Sequence, residues 1–557
     1  MTAPPDAGLP ASEAAVRPGP RPSSGADVPG ARVAFPAAEV TAPVAPVLPG
    51  PPIPVAPSWT DPTVARASEA IGGPLGRYGA SSRGWSPVLV LLLLTGFTLL
   101  LAYAQKSPCA DANWQHNKQY THACYSDVIP LWNIEGLDVG AVPYRDHAVE
   151  YPVLTGGFMW ASAQITRGLS GAVGGPSLVV LFAIVTCVGL AACGLLVTWF
   201  TAGTSRGRPW DAAIFALSPL LIFHAFSNWD LLAMVFTSAA LWAWSRERVV
   251  TSGALIGLGA AAKLYPAVLL VVLGVLAVRT GMLRPVVRCA AAAAVAWLAV
   301  NLPAAAAYYS GWKEFYSFSA SRDAEASTFW AMRQYFVTGG FHGGSSGGFV
   351  PPGAAVAAVV LVGLAIVAAL GLSAPIRPRV AQLALLVVAA FLLTTKVWSP
   401  QYSLWLVPLV ALARPRWRLA LLWQGSEILV WIITLLWLSG FNDSDRAIDY
   451  GWLMLVILIR DGLLLTILGL VVYEMWHPSA DVVRTGPRYG ASGNQAGGGR
   501  SAGGVADDPG GGIFDGAPDV LSFSAAARPE HRRRREAALV DPEPDDGRGD
   551  GYTAPSG

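Results

Sequence analysis

An acid-rich stretch lies between the first apolar run of the chain and all the later ones. Its six carboxylates are Asp111, Asp127, Glu135, Asp138, Asp146 and Glu150. A carboxylate can accept the proton of an attacking hydroxyl group, which is the task of a general base. A neighbouring Lys or Arg can stabilise a phosphate leaving group as its charge develops. Because most of the chain is apolar, we predict that this stretch forms the mouth of an active site.

Two lysines stand at unusual places among the later apolar runs. Lys263 lies in the middle of the run 252–278, and Lys396 follows the run that ends at residue 395. Ionisable groups near the bilayer are costly to place, so they indicate a function by default. Two other interpretations stay open: the side chains snorkel to the membrane surface, or they form structural ion pairs, for example Asp230 with Lys263.

The elements that must position these side chains are transmembrane helices. The chain is 53% hydrophobic and only 13% charged, whereas soluble domains carry roughly 25% charged residues. Apolar runs long enough to cross a bilayer as helices recur along it. The net charge of +2 gives no global field that would indicate a nucleic-acid partner. The sequence therefore predicts an all-α polytopic membrane protein whose lipid contacts are extensive.

Charge bias predicts the topology. Arg77 and Arg83 precede the first apolar run, which places the N-terminus in the cytoplasm by the positive-inside rule. The later basic loops fall on the cytoplasmic side only if the apolar segment 152–168 does not cross the membrane. We therefore expect about twelve spans with both tails inside, and a surface or re-entrant helix at 152–168. Lys263 is then expected at an outer turn between two short helices.

The chain divides into a membrane domain and two tails. We expect residues 85–475 to form the membrane domain, with external loops at 105–176 and 309–350. Residues 1–84 and 476–557 are rich in Pro, Gly and Ala or in charge, a composition typical of disorder. Both tails are predicted to be disordered and cytoplasmic.

Cysteines indicate a disulfide in the first external loop. Cys109 and Cys124 flank a short polar stretch, and outside the cytosol such a pair is expected to be oxidised. His116 and His122 lie between them, but the spacing fits no zinc pattern. No metal site is predicted. No phosphate-binding GxxxxGK[ST] motif is present in the sequence, so ATP is not an evident energy source.

Several short motifs, each weak alone, occur in a consistent order on the predicted outer side. They are Ser126-Asp127, Gly140-x-x-Pro143-Tyr144-Arg145-Asp146, Glu150-Tyr151-Pro152, Asn228-Trp229-Asp230, Ala262-Lys263-Leu264-Tyr265-Pro266 and Lys396-Val-Trp-Ser399-Pro400-Gln401-Tyr402-x-x-Trp405. With these motifs, residues 85–475 resemble the GT-C-type integral membrane glycosyltransferases. The resemblance is to glycosyltransferase family 87, the polyprenyl-phosphomannose-dependent mannosyltransferase-like proteins of actinobacteria.

The resemblance implies the reaction and its base. It implies transfer of a sugar, mannose in first place, from a polyprenyl-phosphate donor to a cell-envelope glycolipid or glycan at the outer face of the plasma membrane. Asp127 matches the position of the family's catalytic base. Asp146 and Glu150 are predicted to have supporting catalytic roles, and their four-residue spacing could put them on one face of a helix. Either could instead support the base indirectly, bind a metal ion or pair with Arg145. Alternatively, Asp127 caps a helix that begins near Val128.

The same resemblance and the polar outer face supply candidates for binding the substrates. The predicted substrate-binding residues are Tyr144, Arg145, Asp230, Lys263, Arg322, Lys396 and Gln401. Arg322 lies among aromatic and basic residues of the second external loop, a composition that suits a sugar and a phosphate. His342 stands between glycines, which is typical either of a mobile lid or of a plain linker. No motif requires a cofactor, and a divalent cation stays open.

Two other functions compete with glycosyl transfer. A transporter or lipid flippase would also contain many helices and a few buried charges, although no internal repeat of the kind many transporters show is evident. A polymerase or ligase of an envelope glycan would share the external site. Arg460 and Asp461 lie inside the last apolar run and are interpreted as structural.

Overall fold

Helices carry nearly all of the apolar sequence, because backbone groups inside a bilayer must be satisfied within one segment. The computed structural model describes residues 86–110, 117–172, 176–338, 350–441, 448–486 and 507–522. The chain divides into a unit at Met1–Pro51, which lies outside the described residues, and a unit at Pro52–Gly557. Within the described ranges the only β-pairing is one isolated bridge between Pro143 and His147.

The helices are numbered here in chain order. They are α1 Pro87–Lys106, α2 Lys118–Thr121, α3 Val128–Ile134, α4 Val153–Ser170, α5 Leu178–Thr204, α6 Ala213–Ala216, α7 Pro219–His224, α8 Asp230–Ser245, α9 Val249–Ala262, α10 Leu269–Thr280, α11 Leu283–Ala307, α12 Tyr309–Ser321, α13 Phe329–Thr338, α14 Gly353–Ser373, α15 Val380–Thr394, α16 Leu406–Ala413, α17 Trp417–Ser439, α18 Tyr450–Trp476 and α19 Val482–Thr485. Short 3₁₀ turns at Tyr265–Val268 and Pro400–Trp405 precede α10 and α16.

Six helices in the described part of the chain are long and apolar enough to cross a membrane. They are α1, α5, α11, α14, α17 and α18. Shorter apolar helices, among them α8, α9 and α15, pack between these. The protein is thus an all-helical polytopic membrane protein over its described residues, and the expected number of about twelve spans stays a prediction resting on charge bias.

Several helices run between two ends of the helical bundle with different chemistry. One end, called here the site end, carries Asp230, Lys263 and Lys396, at the limits of α8, α9 and α15. The other, called here the arginine end, carries these helices' opposite limits. Its basic residues include Arg208, Arg279, Arg377, Arg379, Arg414 and Arg484, all of them buried. Such clustering of arginine at one end is the charge bias that the positive-inside rule uses.

The chain breaks at Lys263 into two short helices, as the basic residues after it predict. α9 ends at Ala262, and Lys263 has extended backbone angles, with φ −153° and ψ 146°. Pro266 then lies in the 3₁₀ turn that leads into α10. Proline fits the first turn of a helix because its missing N–H would have no partner there.

Helix α4, which covers the segment expected not to span, has both ends at the site end. Near its start, the hydroxyl of Thr155 donates to the carbonyl of Ala262 at 2.8 Å. Near its finish, Arg167 donates to the carbonyl of Leu137 and lies over the ring of Trp132, 5.9 Å from its centroid. Both contacts fall in or beside the acid-rich loop, so the geometry supports a helix that lies along this end.

Part of the C-terminal tail is folded, which corrects the prediction that residues 476–557 are disordered. α18 and α19 continue the described chain to Gly486, and residues 507–522 pack against the arginine end. Phe514 is completely buried, with its ring centroid 5.2 Å from that of Trp244. The indole N–H of Trp244 donates to the carbonyl of Gly511 at 3.0 Å. The other expected tail, residues 1–84, lies outside the described residues.

Acidic residues of the packed tail segment neutralise buried arginines. The guanidinium of Arg279, which is fully buried, donates to both carboxylate oxygens of Asp519 at 2.9 and 3.0 Å. Arg377 pairs with Asp507. The Asp508 carboxylate accepts from the backbone N–H of Val380 at 2.8 Å, and so caps α15 from a distant part of the sequence. The tail segment is therefore part of the folded membrane domain.

Replacing Asp519 with Asn should destabilise the protein by about 3 kcal/mol, because it leaves the Arg279 guanidinium buried without its carboxylate. The measurement is the midpoint of thermal unfolding of the purified protein in detergent. Glu247→Gln, an exposed acidic site at the same end, is the control and should not change that midpoint. Equal midpoints for wild type and Asp519→Asn would show that the tail segment is not held by this pair.

Candidate active site

The backbone around Asp127 is fixed by the turn that precedes α8. The N–H of Asp127 donates to the carbonyl of Ser227 at 2.8 Å, and the hydroxyl of Ser126 donates to the carbonyl of Phe226 at 2.6 Å. Just before them, Cys109 and Cys124 form a disulfide with Cα atoms 5.7 Å apart. The acid-rich loop is thereby held in two places, by the disulfide and by the hydrogen bonds to the turn before α8.

The Asp127 carboxylate is held by a neutral amide. Its Oδ2 accepts from Nδ2 of Asn228 at 2.7 Å, and the same amide donates to the Tyr151 hydroxyl at 2.8 Å. Asp127 does occupy the N-cap position of α3, but its side chain makes no capping hydrogen bond. Burial raises the pKa of Asp127, and hydrogen bonds from Asn228 and Tyr125 offset only part of that rise. A carboxylate with a raised pKa is a stronger base.

Glu150 belongs to the same electrostatic cluster. Burial raises its pKa, the Arg322 guanidinium lowers it, and the negative charge of Asp127 raises it again. One charge shifts the pKa of another group in this way only when the two lie within about 10 Å of each other. Asp127, Glu150 and Arg322, three of the predicted site residues from two different loops, therefore lie within electrostatic range of one another.

Lys263 and Asp230 form an ion pair, which is the structural interpretation that the sequence left open. The ammonium of Lys263 lies 2.6 Å from Oδ1 of Asp230, and the same oxygen accepts from the indole N–H of Trp405 at 2.7 Å. The ammonium also lies over the rings of Tyr402 and Trp405, 4.5 and 5.6 Å from their centroids. Asp230 begins α8, where the helix dipole favours a negative charge. This pair borders Asp127, because both Lys263 and Asp230 influence the Asp127 pKa.

Arg322 is the most accessible of these cations. Its side chain is 31% exposed, whereas that of Lys263 is 9% exposed. One of its nitrogens lies 2.9 Å from the carboxylate of Glu325. An arginine carries five N–H donors in a planar fork that matches phosphate geometry, so the contact to Glu325 leaves donors for a ligand.

Lys396 holds the backbone of a neighbouring loop. Its ammonium donates to the carbonyls of Ala320 and Arg322 at 2.7 and 2.8 Å, and the residue is 7% exposed. Two of its three donors therefore hold the loop that carries Arg322. Gln401, also predicted to bind substrate, is buried within the turn Pro400–Trp405.

Arg145 and Asp146 pair with each other and not with Asp127. The Arg145 nitrogens lie 2.8 Å from both carboxylate oxygens of Asp146, and both side chains are exposed. Arg145 lowers the pKa of Asp146 to about 2, which makes this carboxylate a weak base. The segment is not helical, so the predicted shared helical face with Glu150 is wrong. The structure gives no support to the predicted catalytic role of Asp146 or the binding role of Arg145.

Tyr144 shapes the loop and is buried, which disagrees with a role in contacting substrate. It has a positive φ of 70°, and its hydroxyl donates to the carbonyl of Tyr151 at 3.0 Å. Its backbone packs on Gly311 of α12, where an added Cβ would lie 2.1 Å from the Tyr144 carbonyl oxygen. Gly311 therefore lets α12 pack closely against the loop that carries Tyr144.

Sequence reasoning missed Asn228, Tyr151, Tyr125 and Lys106 as site residues. Asn228 and Tyr151 stand within motifs that were recognised, so their position beside Asp230 and Glu150 was the available signal. Lys106 ends α1, where a lysine ordinarily snorkels. In the structure its ammonium donates to the carbonyl of Tyr125 at 2.9 Å, so it supports the segment that leads to Asp127.

The described residues contain no group of three or more His, Cys, Asp or Glu side chains that could hold a metal ion. His342, and with it the choice between a lid and a linker, lies outside the described residues.

The cluster of Asp127, Glu150, Lys263 and Arg322 lies partly within a region that matches a known protein family. Residues 175–400 match the profile described as Glycosyltransferase family 87. This region belongs to that family. The family prediction is thereby confirmed for residues 175–400, and the match indicates a glycosyltransferase. No curated protein matches the chain. The family region contains Asp230, Lys263 and Arg322, while Asp127 and Glu150 of this glycosyltransferase lie in the segment that precedes it.

Lys263→Met should destabilise the glycosyltransferase by about 3–5 kcal/mol, because Asp230 would stay buried without its cation. The double variant Asp230→Asn/Lys263→Met removes both charges and should recover more than half of that loss. Thermal unfolding followed by tryptophan fluorescence measures both. If the double variant were as unstable as the sum of the two single variants, the pair would contribute no coupling.

Proposed function

We propose that the protein transfers a sugar, mannose in first place, from a polyprenyl-phosphate donor to a glycolipid or glycan of the cell envelope. The observation that carries the proposal is the Asp127 carboxylate, which hydrogen-bonds to a neutral amide and shares a cluster with Lys263, Glu150 and Arg322. Within the described residues the Asp127 carboxylate makes no direct ion pair, and the partly exposed Arg322 guanidinium lies in the same cluster. Such a base near a cation suits attack by a hydroxyl group on a phosphate-linked sugar.

In the proposed step, Asp127 takes the proton of the acceptor hydroxyl. The acceptor oxygen forms a bond to the anomeric carbon of the donor sugar as the bond from that carbon to the phosphate oxygen breaks. The electron pair of the broken bond leaves on the polyprenyl phosphate. Attack from the side opposite the phosphate inverts the anomeric configuration. The proton is then lost from Asp127 to solvent, which restores the base.

Arg322 is proposed to bind the donor phosphate. It is the more exposed of the two clustered cations, and its fork of donors can bind two phosphate oxygens. Lys263 is already paired with Asp230, so it adds positive potential near the phosphate and is not proposed as its main ligand. Glu325 orients the guanidinium through their contact at 2.9 Å, and the charge of Glu150 lies near enough to influence both Arg322 and Asp127.

The site end is proposed to face the outside of the plasma membrane. Buried arginines gather at the opposite end, which the positive-inside rule assigns to the cytoplasm. The disulfide between Cys109 and Cys124 lies at the site end, and disulfides persist in oxidising compartments. A polyprenyl chain would lie in the grooves between lipid-facing helices. The family match favours glycosyl transfer over transport.

Asp127→Asn should reduce the rate of transfer by about 10²- to 10⁴-fold, the usual contribution of a general base. The assay supplies the purified protein with polyprenyl-phosphomannose and a glycolipid extract of a bacterial envelope, and it follows sugar incorporation into lipid. Asp146→Asn is the matched control, because that carboxylate is exposed and paired with Arg145; it should retain wild-type activity. A fully active Asp127→Asn enzyme would eliminate Asp127 as the base.

The rate should fall on acidification at a pH above the ordinary carboxyl range, because burial raises the pKa of Asp127 above roughly 4. Only the deprotonated form accepts a proton, so activity is present above this pKa and is lost as the pH falls through it. Asn228→Ala removes a hydrogen bond to the charged form and should move the acidic limb of kcat/KM to higher pH. A limb that moves to lower pH, or stays in place, would contradict this arrangement.

A further inference from the structure

Arg460 lies inside the last membrane helix, far along the sequence from every residue of the proposed site. It is completely buried, and its Nε donates to Asp461 Oδ1 at 2.8 Å. Its Nη1 lies 3.9 Å from the carboxylate of Glu427 on α17. Placing Arg460, Asp461 and Glu427 within apolar helices is costly in free energy. Such an arrangement indicates that the charged groups have a function besides packing.

The guanidinium reaches out of its own helix to two loops of the site end. Its Nη2 donates to the backbone carbonyl of Ser327 at 2.8 Å. Its face lies on the ring of Trp398, with the central carbon 3.7 Å from the ring centroid. Ser327 and Trp398 also contact each other, because the Ser327 hydroxyl donates to the Trp398 carbonyl. The two loops are residues 322–328 and 396–405, and the place where Ser327 contacts Trp398 is called here the crossing. Arg460 therefore holds the crossing.

From that crossing, short contacts lead directly to Arg322. The N–H of Glu325 donates to the carbonyl of Lys396 at 2.9 Å. The Lys396 ammonium in turn donates to the carbonyl of Arg322 at 2.8 Å, and Glu325 pairs with the Arg322 side chain. The first two links use backbone carbonyl or N–H groups, so the position of the crossing sets the position of the Arg322 backbone.

The other side of the crossing leads to the Lys263 pair. The indole N–H of Trp398 donates to the hydroxyl of Ser403 at 3.1 Å. Ser403 lies in the same turn as Tyr402 and Trp405, whose rings stack with centroids 4.2 Å apart beneath the Lys263 ammonium. The ring of Trp398 is thus shared between the support of Arg322 and the support of Lys263.

We propose that Arg460 is a positioning residue, which fixes the crossing of residues 322–328 with residues 396–405 and thereby holds Arg322 at the distance from Asp127 that a donor phosphate requires. The proposal rests on the proposed function for the identity of that ligand. Arginine suits this task because its planar fork can satisfy an acid, a carbonyl and an aromatic face together. Lysine supplies one point charge and cannot make all three contacts in the same geometry.

The experiment compares Arg460→Lys with wild type in the full-length protein reconstituted in nanodiscs. The first measurement is hydrogen–deuterium exchange of the peptides that contain residues 320–328. The second is the dissociation constant for a short-chain polyprenyl phosphate, with Arg322→Lys and the double variant measured alongside. Thr466→Ala, at an exposed position of the same helix, is the control for general damage to α18.

We expect Arg460→Lys to raise exchange in residues 320–328 at least tenfold and to weaken polyprenyl phosphate binding about tenfold, while Thr466→Ala changes neither. The effects of Arg460→Lys and Arg322→Lys on binding should not add, because both act through the contact of the Arg322 guanidinium with the phosphate. Unchanged exchange in Arg460→Lys would overturn the positioning role. Raised exchange throughout the protein would assign Arg460 to general stability and would overturn it equally.

The two measurements separate this proposal from the proposed function. If wild type fails to bind polyprenyl phosphate while exchange rises only in residues 320–328 of Arg460→Lys, the proposed donor is wrong and the positioning of the loop by Arg460 stands. If wild type binds and Arg460→Lys binds equally well with additive effects in the double variant, the donor stands and the positioning role for Arg322 falls.

Discussion

The contact between the Lys263 ammonium and the Asp230 carboxylate is the constraint around which the site is built. Each charge is buried among apolar helices, where an unpaired ion would cost several kcal/mol. The break between α9 and α10 must therefore meet the first turn of α8. Because Trp405 donates to the same carboxylate oxygen, the turn before α16 must arrive there as well. One ion pair thus sets the mutual position of three segments that are distant in sequence.

The acid-rich loop depends on this frame. Ser126 and Asp127 bond to the carbonyls of Phe226 and Ser227, which come immediately before Asp230. Asn228, which lies between Ser227 and Asp230 in the sequence, holds the Asp127 carboxylate. A shift of the first turn of α8 would consequently displace both Asp127, the proposed base, and Lys263. The position of the Asp127 carboxylate is thus a consequence of the pairing that keeps the Lys263 and Asp230 charges buried.

Much of this site could be predicted from the sequence, because its members stand beside prolines, aromatics or breaks in apolar runs. Asp230 and Lys263 were identified in that way, whereas Asp127 was singled out by the family resemblance, and the ion pair was anticipated as an alternative. Arg145 and Asp146 show the structural alternative that the sequence also allowed, because these adjacent opposite charges pair with each other on the surface. The partners of Lys396 could not be predicted in this way, because they are backbone carbonyls, which every residue possesses.

The folded tail shows the limit of local composition most clearly. Residues 507–522 carry acidic residues and glycines, which alone indicate disorder. Their partners are arginines that would otherwise be buried without carboxylates, such as Arg279, and Phe514 fills a space beside Trp244. These buried arginines and the space beside Trp244 exist only once the helices have packed together. Since α8 carries Asp230 at one end and Trp244 at the other, the helix that positions the site is held at both of its ends by contacts that no single window of the sequence contains.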